Sequence, residues 1–435
     1  MARAFRWRNG TLKFGVAQFR IVKHPQPEAW KRAQRYAPWM RGVHVWELWS
    51  TLGEDAFREL RLNSPAGGWF PALQNLTWVI TKSNLPYADI FLPPHLKEVS
   101  IYVSGSWADF GAPHNILSTI TPIISALPTS ALQSLCIGAE RRGVPWAEFK
   151  EVFSSVVLRC GPSLTKFTSM AQLSDAAINH LIRLPLLHTW IAGGPPPNFS
   201  PSSLPPVFPP LVRLTLRDSA ACGWLPLFER LEHSVPATQG MTPLSRTKES
   251  LRFLDVRNLS GCTFDVSFTS PIQIFRNLIT LKVHVYCGGN RQCAFKLNNN
   301  NATELAMVLS QLEFLYLGHP CSKNTCATTV VCLLPISAYC VKLRTLEIHF
   351  NTTNIVGDLK SLLEDPQFEA LRSLPRCTLS CLEVYRIPLT LDESGFETVV
   401  DVMINLFPSL ERCKGAPGNL DWEEISRRIT GSREI

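Results

Sequence analysis

A six-residue pattern of apolar positions, Leu-x-x-Leu-x-Leu, recurs along the whole chain. Its clearest copy is FPPLVRLTLR at 208–217. Apolar residues that alternate with polar ones predict a strand with one buried face. Strands that recur every few tens of residues indicate a solenoid of stacked repeats. Further copies of the pattern occur at 70–78, 251–256, 278–283, 312–317 and 343–348.

The first apolar residue of each copy serves as a marker for one predicted repeat. The markers have a mean spacing of about 31 residues, a loose period of the kind that solenoids tolerate. Met40, Leu96, Leu187 and Leu410 fit the pattern least well. The thirteen markers are Met40, Leu73, Leu96, Leu132, Leu164, Leu187, Leu211, Leu251, Leu278, Leu312, Leu343, Leu379 and Leu410.

The segments between the markers have the apolar spacing of helices. Ser174 is a predicted N-cap, and Ala177, Ile178, Leu181 and Ile182 form the apolar face of its helix. The sequence therefore predicts an α/β leucine-rich-repeat solenoid, a horseshoe with parallel strands on the concave face and helices on the convex face. The predicted helices are 27–36, 145–160, 174–184, 301–311, 328–340, 357–374 and 392–407.

Charge separates the N-terminal segment from the repeats. Residues 1–41 contain ten Lys and Arg and one acidic residue, which leaves 33 basic and 34 acidic residues in the rest. We interpret 1–39 as a basic segment with a capping helix; the alternative, a mitochondrial transit peptide, lacks the usual Ser. The solenoid is predicted at 40–435, with a Pro-rich loop at 191–210 and an insertion at 219–250.

Composition also limits location and partners. No apolar run is long enough for a secretory signal or a membrane span, and no basic cluster follows the repeats. We therefore predict a cytoplasmic or nuclear monomer that binds neither membranes nor nucleic acid. The thirteen Cys are odd in number and contain no C-x-x-C pair, so we predict free thiols; Cys321 and Cys326 are the alternative for a bridge or a metal.

Searches for catalytic motifs leave no candidate. The chain has no G-x-S-x-G, G-x-G-x-x-G, P-loop or H-E-x-x-H motif, and its ten His are scattered. The sequence thus predicts a protein that is not an enzyme and that needs no cofactor.

Residues that alternate with the buried Leu positions are predicted to face the concave side. From the marker Leu211 to the marker Leu343 they include aromatic residues and charges of both signs, a composition suited to protein recognition. The predicted protein-binding residues are Arg213, Arg217, Phe253, Asp255, Arg257, Lys282, His284, Phe314, Tyr316, Glu347 and His349.

Several longer phrases, in the same order, resemble the F-box/leucine-rich-repeat proteins that are abundant in mushroom-forming fungi. The similarity covers about residues 27–430. The matching phrases are PEAWKRAQRYAPWMRGV (27–43), LSDAAINHLIRLPLLHTW (173–190), FPPLVRLTL (208–216), ATELAMVLSQLEFLYLG (302–318), CLLPISAYCVKLRTLEIHFN (332–351), and VVDVMINLFPSLERCKG followed by WEEISRRI (399–429).

This resemblance implies a substrate receptor of a cullin–RING ubiquitin ligase. In that family an N-terminal F-box binds the Skp-type adaptor, and the repeats select a protein substrate. Residues 1–26 show no Leu-Pro-x-Glu opening of an F-box. Either the F-box is missing from the gene model or the chain is a repeat-only relative, so adaptor binding is expected only with an F-box upstream. The alternatives are a scaffold or inhibitor without a ubiquitin link, and a receptor fragment that binds a ligand, which would need a signal peptide and paired Cys.

Overall fold

The structure is a computed structural model, and all structural statements below concern the residues that it describes. These are 27–45, 53–65, 68–80, 85–103, 113–139, 146–193, 210–217, 249–260, 266–286, 296–318, 326–364, 366, 368, 376–384, 391–415 and 420–432. The basic segment 1–26 lies outside them. So do most of the predicted Pro-rich loop 191–210 and most of the predicted insertion 219–250.

Every marker is followed by a strand that begins two residues later. The four markers that fit the pattern least well obey the same rule, so all thirteen predicted strands are confirmed. The strands are β1 (Gly42–Val45), β2 (Asn75–Ile80), β3 (Glu98–Val103), β4 (Ser134–Ala139), β5 (Lys166–Ser169), β6 (Thr189–Ala192), β7 (Arg213–Leu216), β8 (Phe253–Ser260), β9 (Thr280–Tyr286), β10 (Phe314–Gly318), β11 (Thr345–Ile348), β12 (Cys381–Val384) and β13 (Arg412–Lys414).

The chain divides into two compact units, with the division inside the Pro-rich segment. Unit 1 is Met1–Pro196 with Ser203–Pro205, and unit 2 is Pro197–Ser202 with Pro206–Ile435. Strands β1 to β6 pair in sequence order in unit 1, and β7 to β13 do so in unit 2; every pair is parallel. The α/β class with parallel strands is confirmed, and each unit has the strand order of a solenoid.

A recurring turn explains why the offset between marker and strand is constant. The amide of Leu312 donates to the carbonyl of Leu309 over 3.2 Å, which closes a tight turn at the marker. The amides of Glu313 and Phe314 then both donate to the Ile279 carbonyl of the preceding repeat. The same two-part arrangement enters β3, β4 and β5 in unit 1, so each repeat aligns the next one in register.

A helix is present at each of the seven predicted positions, with shifted ends. The prediction 357–374 is confirmed only as far as Glu364, since most of 365–375 lies outside the described residues, and the helices at 53–62, 113–126, 266–272 and 420–431 were not predicted. The α-helices are α1 (Pro27–Tyr36), α2 (Gly53–Leu62), α3 (Pro113–Ala126), α4 (Lys150–Arg159), α5 (Asp175–Arg183), α6 (Val266–Ile272), α7 (Asn299–Val308), α8 (Leu333–Tyr339), α9 (Ile355–Glu364), α10 (Glu393–Leu406) and α11 (Leu420–Gly431). Short 3-10 turns occur at Ala37–Trp39, Leu85–Phe91, Thr129–Ala131, Trp146–Phe149 and Val330–Cys332.

Side-chain caps fix several of the helix starts. The Ser174 side chain accepts the amide of Ala177 at the start of α5, as predicted, and Asp392 accepts the amide of Gly395 at the start of α10. Helix α7 begins two residues before the predicted 301, because Asn298 and Asn301 form a reciprocal capping box inside a run of Asn. None of the described helices combines the length and hydropathy that a membrane span requires.

The buried core lies between the strands and the helices. All thirteen markers are buried, with at most 6% of any marker exposed. Along most strands the residues three and five positions after the marker are also buried, as at Leu281 and Val283 of β9. Burial of one Leu contributes about 1.5–3 kcal/mol, so the repeated Leu positions account for stability and leave the alternate residues available for other roles.

Helix α11 covers the outer edge of β13. The hydroxyl of Ser426 accepts the amide of Cys413 over 3.1 Å, and Trp422, Ile425 and Ile429 are buried. Arg428 joins this helix to α10 through an ion pair with Glu393, 2.8 Å from Nη1 to Oε1. A helix therefore takes the place of a fourteenth strand at this edge.

Candidate functional site

The accessible face of unit 2 carries most of the predicted binding residues. Phe253, Thr280 and Phe314 are aligned across β8, β9 and β10, and Asp255 and Lys282 are aligned in the next polar row. We call the following set the unit 2 strip: Arg213, Phe253, Asp255, Arg257, Lys282, His284 and Phe314.

Two cation–aromatic pairs recur within the strip. The guanidinium of Arg213 lies over the ring of Phe253, 4.7 Å from its centroid. The ammonium of Lys282 lies over the ring of Phe314 at 4.2 Å. In both pairs the cation comes from one strand and the ring from the next. Each contact contributes about 0.5–1 kcal/mol at an accessible site, and it also holds a long side chain in one place.

Asp255 forms an ion pair with Arg257 on its own strand. Its carboxylate accepts three hydrogen bonds from Arg257, with Nε at 2.9 Å from both oxygens and Nη2 at 2.6 Å from Oδ2. These bonds raise the pKa of Arg257 above its usual value. Lys282 stands directly opposite Asp255 in register, yet it extends to Phe314 instead. The strip thus contains one satisfied ion pair and a lysine that does not join it.

His284 is a neutral aromatic element of the strip. Its ring stacks on Tyr316 with centroids 4.0 Å apart. Burial lowers the pKa of His284 to about 4, and the nearby Arg257 and Lys282 charges act in the same direction against the opposing effect of Asp255. Its Nε2 is 3.9 Å from the Asp255 carboxylate, too far for a hydrogen bond. Near pH 7 the pair is therefore not an ion pair.

Two predicted binding residues are buried, and the surface prediction is wrong for them. His349 is fully buried just beyond the end of β11 at Ile348, and its amide donates to the Leu317 carbonyl of β10. Tyr316 is 5% exposed, because its ring folds back over Gly318. A Cβ atom at Gly318 would lie 2.5 Å from Tyr316 Cζ, so only glycine permits this packing. Tyr316 therefore packs against His284 of the strip and is itself covered.

The remaining predicted residues are partly accessible. Arg217 follows β7 directly, and Glu347 lies on β11 in register with Tyr316 and Glu383. Sequence reasoning left out Arg412 and Lys414 of β13, although the two-residue offset from the marker Leu410 identifies both positions. Lys414 pairs with Glu383 at 3.2 Å. Acidic residues therefore lie on β11 and β12, and on β7 and β9 Arg213 and Lys282 have no ion pair with any described residue.

Unit 1 presents a different accessible face. Its aligned polar rows consist mainly of small neutral side chains, with Thr77, Ser100, Cys136 and Thr168 in one row. Lys166 on β5 is an exposed cation at the first position of its strand, the position that Arg213 has on β7. It is a natural control for charge changes in the strip.

The thiols that the structure describes are structural. All eight are free, and seven of them are buried. Burial raises the pKa of Cys160, Cys340 and Cys413 to about 12, which leaves them protonated and unreactive near neutral pH. Cys321 lies outside the described residues, as do Cys222, Cys262, Cys287 and Cys293. Within the described ranges no group of His, Cys, Asp and Glu has a geometry that could hold a metal ion.

Comparison with known proteins adds no family. No protein-family model matches the chain, and no curated protein sequence matches it. The geometry of the unit 2 strip therefore carries the functional argument.

Proposed function

We propose that the chain is a leucine-rich-repeat protein-recognition module that binds a protein partner through the unit 2 strip. The observation that carries this proposal is the group of fixed side chains on β7 to β10, in which two cations rest on aromatic rings beside an Arg–Asp pair. Side chains held in place before binding lose little rotamer entropy on association.

The chemistry of the strip suits a protein partner. Aromatic residues and Arg contribute disproportionately to protein interfaces, because each combines a large apolar surface with directed polar groups. The strip contains both kinds, and rigid parallel strands hold them. On this proposal the strands line the concave side of a horseshoe, and the partner lies against that side.

The cellular outcome in this proposal is substrate selection for a cullin–RING ubiquitin ligase. The similarity of the phrases at 27–43, 302–318 and 399–429 to F-box/leucine-rich-repeat proteins supports it. The second candidate is a scaffold or inhibitor without a ubiquitin link, for which partner binding through the strip is sufficient.

Charge reversal within the strip tests the recognition proposal. We expect partners captured from an extract of the source organism by the full chain to be lost with Arg213→Glu/Lys282→Glu and retained with the control Lys166→Glu. The captured proteins are identified and quantified by mass spectrometry. Identical sets for all three proteins would remove the strip from the binding surface.

Adaptor binding separates the two candidates. A transcript that includes any upstream F-box is co-expressed with the Skp-type adaptor, and complex formation is measured by co-purification. A stable complex supports the hypothesis that the chain selects substrates for a ubiquitin ligase. Failure to co-purify, with partner capture intact, supports the scaffold.

A further inference from the structure

Two cations of the strip have no acidic partner among the residues that the structure describes. Arg213 is exposed and rests on Phe253, and Lys282 rests on Phe314. The carboxylate nearest to Lys282 by register, Asp255, is already bound by Arg257. Stacking on a ring leaves the N–H groups at the edge of a cation free to donate. As far as the described residues go, both cations are therefore available to receive an acidic group.

The spacing of these two cations defines what they can receive. Phe253 and Phe314 lie in the same row, on strands separated only by β9 and its Thr280. Neighbouring strands are about 4.8 Å apart, so the two cations lie over points about 10 Å apart. The line that joins them crosses the strands, so an occupant would run across the sheet.

One backbone conformation matches this spacing well. A polyproline II segment has three residues per turn and a rise of about 3.1 Å, so side chains three residues apart project from the same side at about 9.3 Å. In a β-strand, side chains on one side are about 6.8 Å or 13.6 Å apart, for separations of two or four residues. A polyproline II segment thus meets both cations without a change of direction.

The geometry points to a partner segment of polyproline II conformation with two acidic side chains three residues apart, Asp/Glu-x-x-Asp/Glu, as the occupant of the unit 2 strip. The carboxylates bind Arg213 and Lys282, one each, and the intervening residues cross Thr280. This inference rests on the proposed function and specifies its ligand.

Carboxylates fit better than a phosphoryl group or a nucleic acid. A phosphoryl group carries nearly two charges and is bound by several cations that converge on it. Here the cations stand apart, with Asp255 between them in the next row. Nucleic acid is bound by a continuous basic surface, whereas Glu347 and Glu383 continue this face on β11 and β12. Two single charges, one for each cation, match the arrangement.

The test uses short peptides of Pro and Glu, because Pro enforces the polyproline II conformation. Binding to the full chain is measured by surface plasmon resonance with the peptides immobilised. We expect the peptide with Glu residues three positions apart to bind at least about fivefold more tightly than peptides with a spacing of two or four. Its Gln analogue should bind about tenfold more weakly than the Glu peptide.

Variants of the protein assign the binding to the two cations. Arg213→Gln and Lys282→Gln should each weaken binding of the matched peptide about fivefold, the double variant should abolish it, and Lys166→Gln should leave it unchanged. Circular dichroism and thermal unfolding confirm that each variant is folded.

Several results would overturn the inference. Equal binding of the Gln analogue, equal loss with Lys166→Gln, or the same affinity at all spacings would each contradict it. Tighter binding of a peptide with a single phosphoserine would assign the site to a phosphoryl group, and tighter binding of polyuridine RNA would assign it to nucleic acid. If the peptides fail but Arg213→Glu/Lys282→Glu still abolishes partner capture, the inference falls and the proposed function stands. If capture is also unchanged, both fall.

Discussion

Units 1 and 2 have the same repeat frame and different accessible faces. In both units a buried marker precedes every strand, and a tight turn with a shared carbonyl leads into most of them. The polar row of unit 1 carries Thr77, Ser100 and Thr168, and the corresponding row of unit 2 carries Asp255 and Lys282.

The comparison shows that the frame does not determine the face. The Leu parity is fixed by burial, since a substitution there opens a cavity. The strand positions that alternate with the buried Leu residues are less constrained, and the residues found there differ between the units. Function is therefore to be sought where two units with equal frames differ, and here they differ in charge and aromatic content.

The frame itself should respond equally in the two units. Leu135→Ala on β4 and Leu281→Ala on β9 each remove a fully buried side chain. We expect each to lower the free energy of unfolding by about 2–5 kcal/mol, from lost transfer energy and the remaining cavity. Chemical denaturation measures both. A loss below about 1 kcal/mol in one unit only would break the equivalence of the frames.

The face of unit 2 should add a pH dependence through His284. Its pKa in the folded chain is about 4, below the unfolded value near 6.5, so the unfolded chain binds the proton first as the pH falls. The free energy of unfolding should therefore be highest above about pH 6.5 and should fall as the pH is lowered towards 4.

Denaturant unfolding at several pH values compares the full chain with His284→Gln. The variant should show a shallower decline of stability between pH 6.5 and 4. His44 of unit 1, whose pKa is also lowered by burial, remains in both proteins and provides the background. Parallel curves for the two proteins would refute the burial effect.

Helix caps offer a smaller comparison between the units. Ser174→Ala in unit 1 and Asp392→Ala in unit 2 each remove the side chain that accepts a helix amide. Each change should lower the free energy of unfolding by about 1 kcal/mol. Ser155→Ala on the exposed side of α4 is a matched control, with an expected change below about 0.5 kcal/mol. A control that costs as much as the caps would contradict the assignment.

The smallest effect on stability should come from the exposed cations. Arg213 and Lys166 are the first residues of β7 and β5. We expect Arg213→Gln and Lys166→Gln each to change the free energy of unfolding by less than about 1 kcal/mol. Thermal unfolding gives the comparison. A large loss for Arg213→Gln would make that residue part of the frame instead of the binding face.

The sequence predicts the frame well because the frame is periodic. Even Leu96 and Leu187, which fit the pattern poorly, precede strands at the same offset as Leu312, since the turn at the marker repeats with the period. The start of α7 is predicted less accurately, because a run of Asn contains several possible N-caps. The capping box selects Asn298.

The site is less predictable because it depends on which of several nearby side chains each charged group contacts. The alternation of buried and exposed residues places Lys282 on the same face as Asp255. It does not predict that Arg257 binds the Asp255 carboxylate and that Lys282 contacts Phe314. Alternation also fails at His349, where the strand has already ended. Pairing preferences and strand ends are set by three-dimensional packing, which one sequence does not contain.

The cover that α11 places over β13 has a consequence for self-association. An open strand edge is a template on which a second copy can add its own strand, and repeated addition produces fibres. Here the outward amide of Cys413 is already bound to Ser426, and the exposed Arg412 and Lys414 flank it with positive charge. An incoming strand would have to displace a helix with buried Trp422 before it could pair with β13, so we expect no strand addition at this edge.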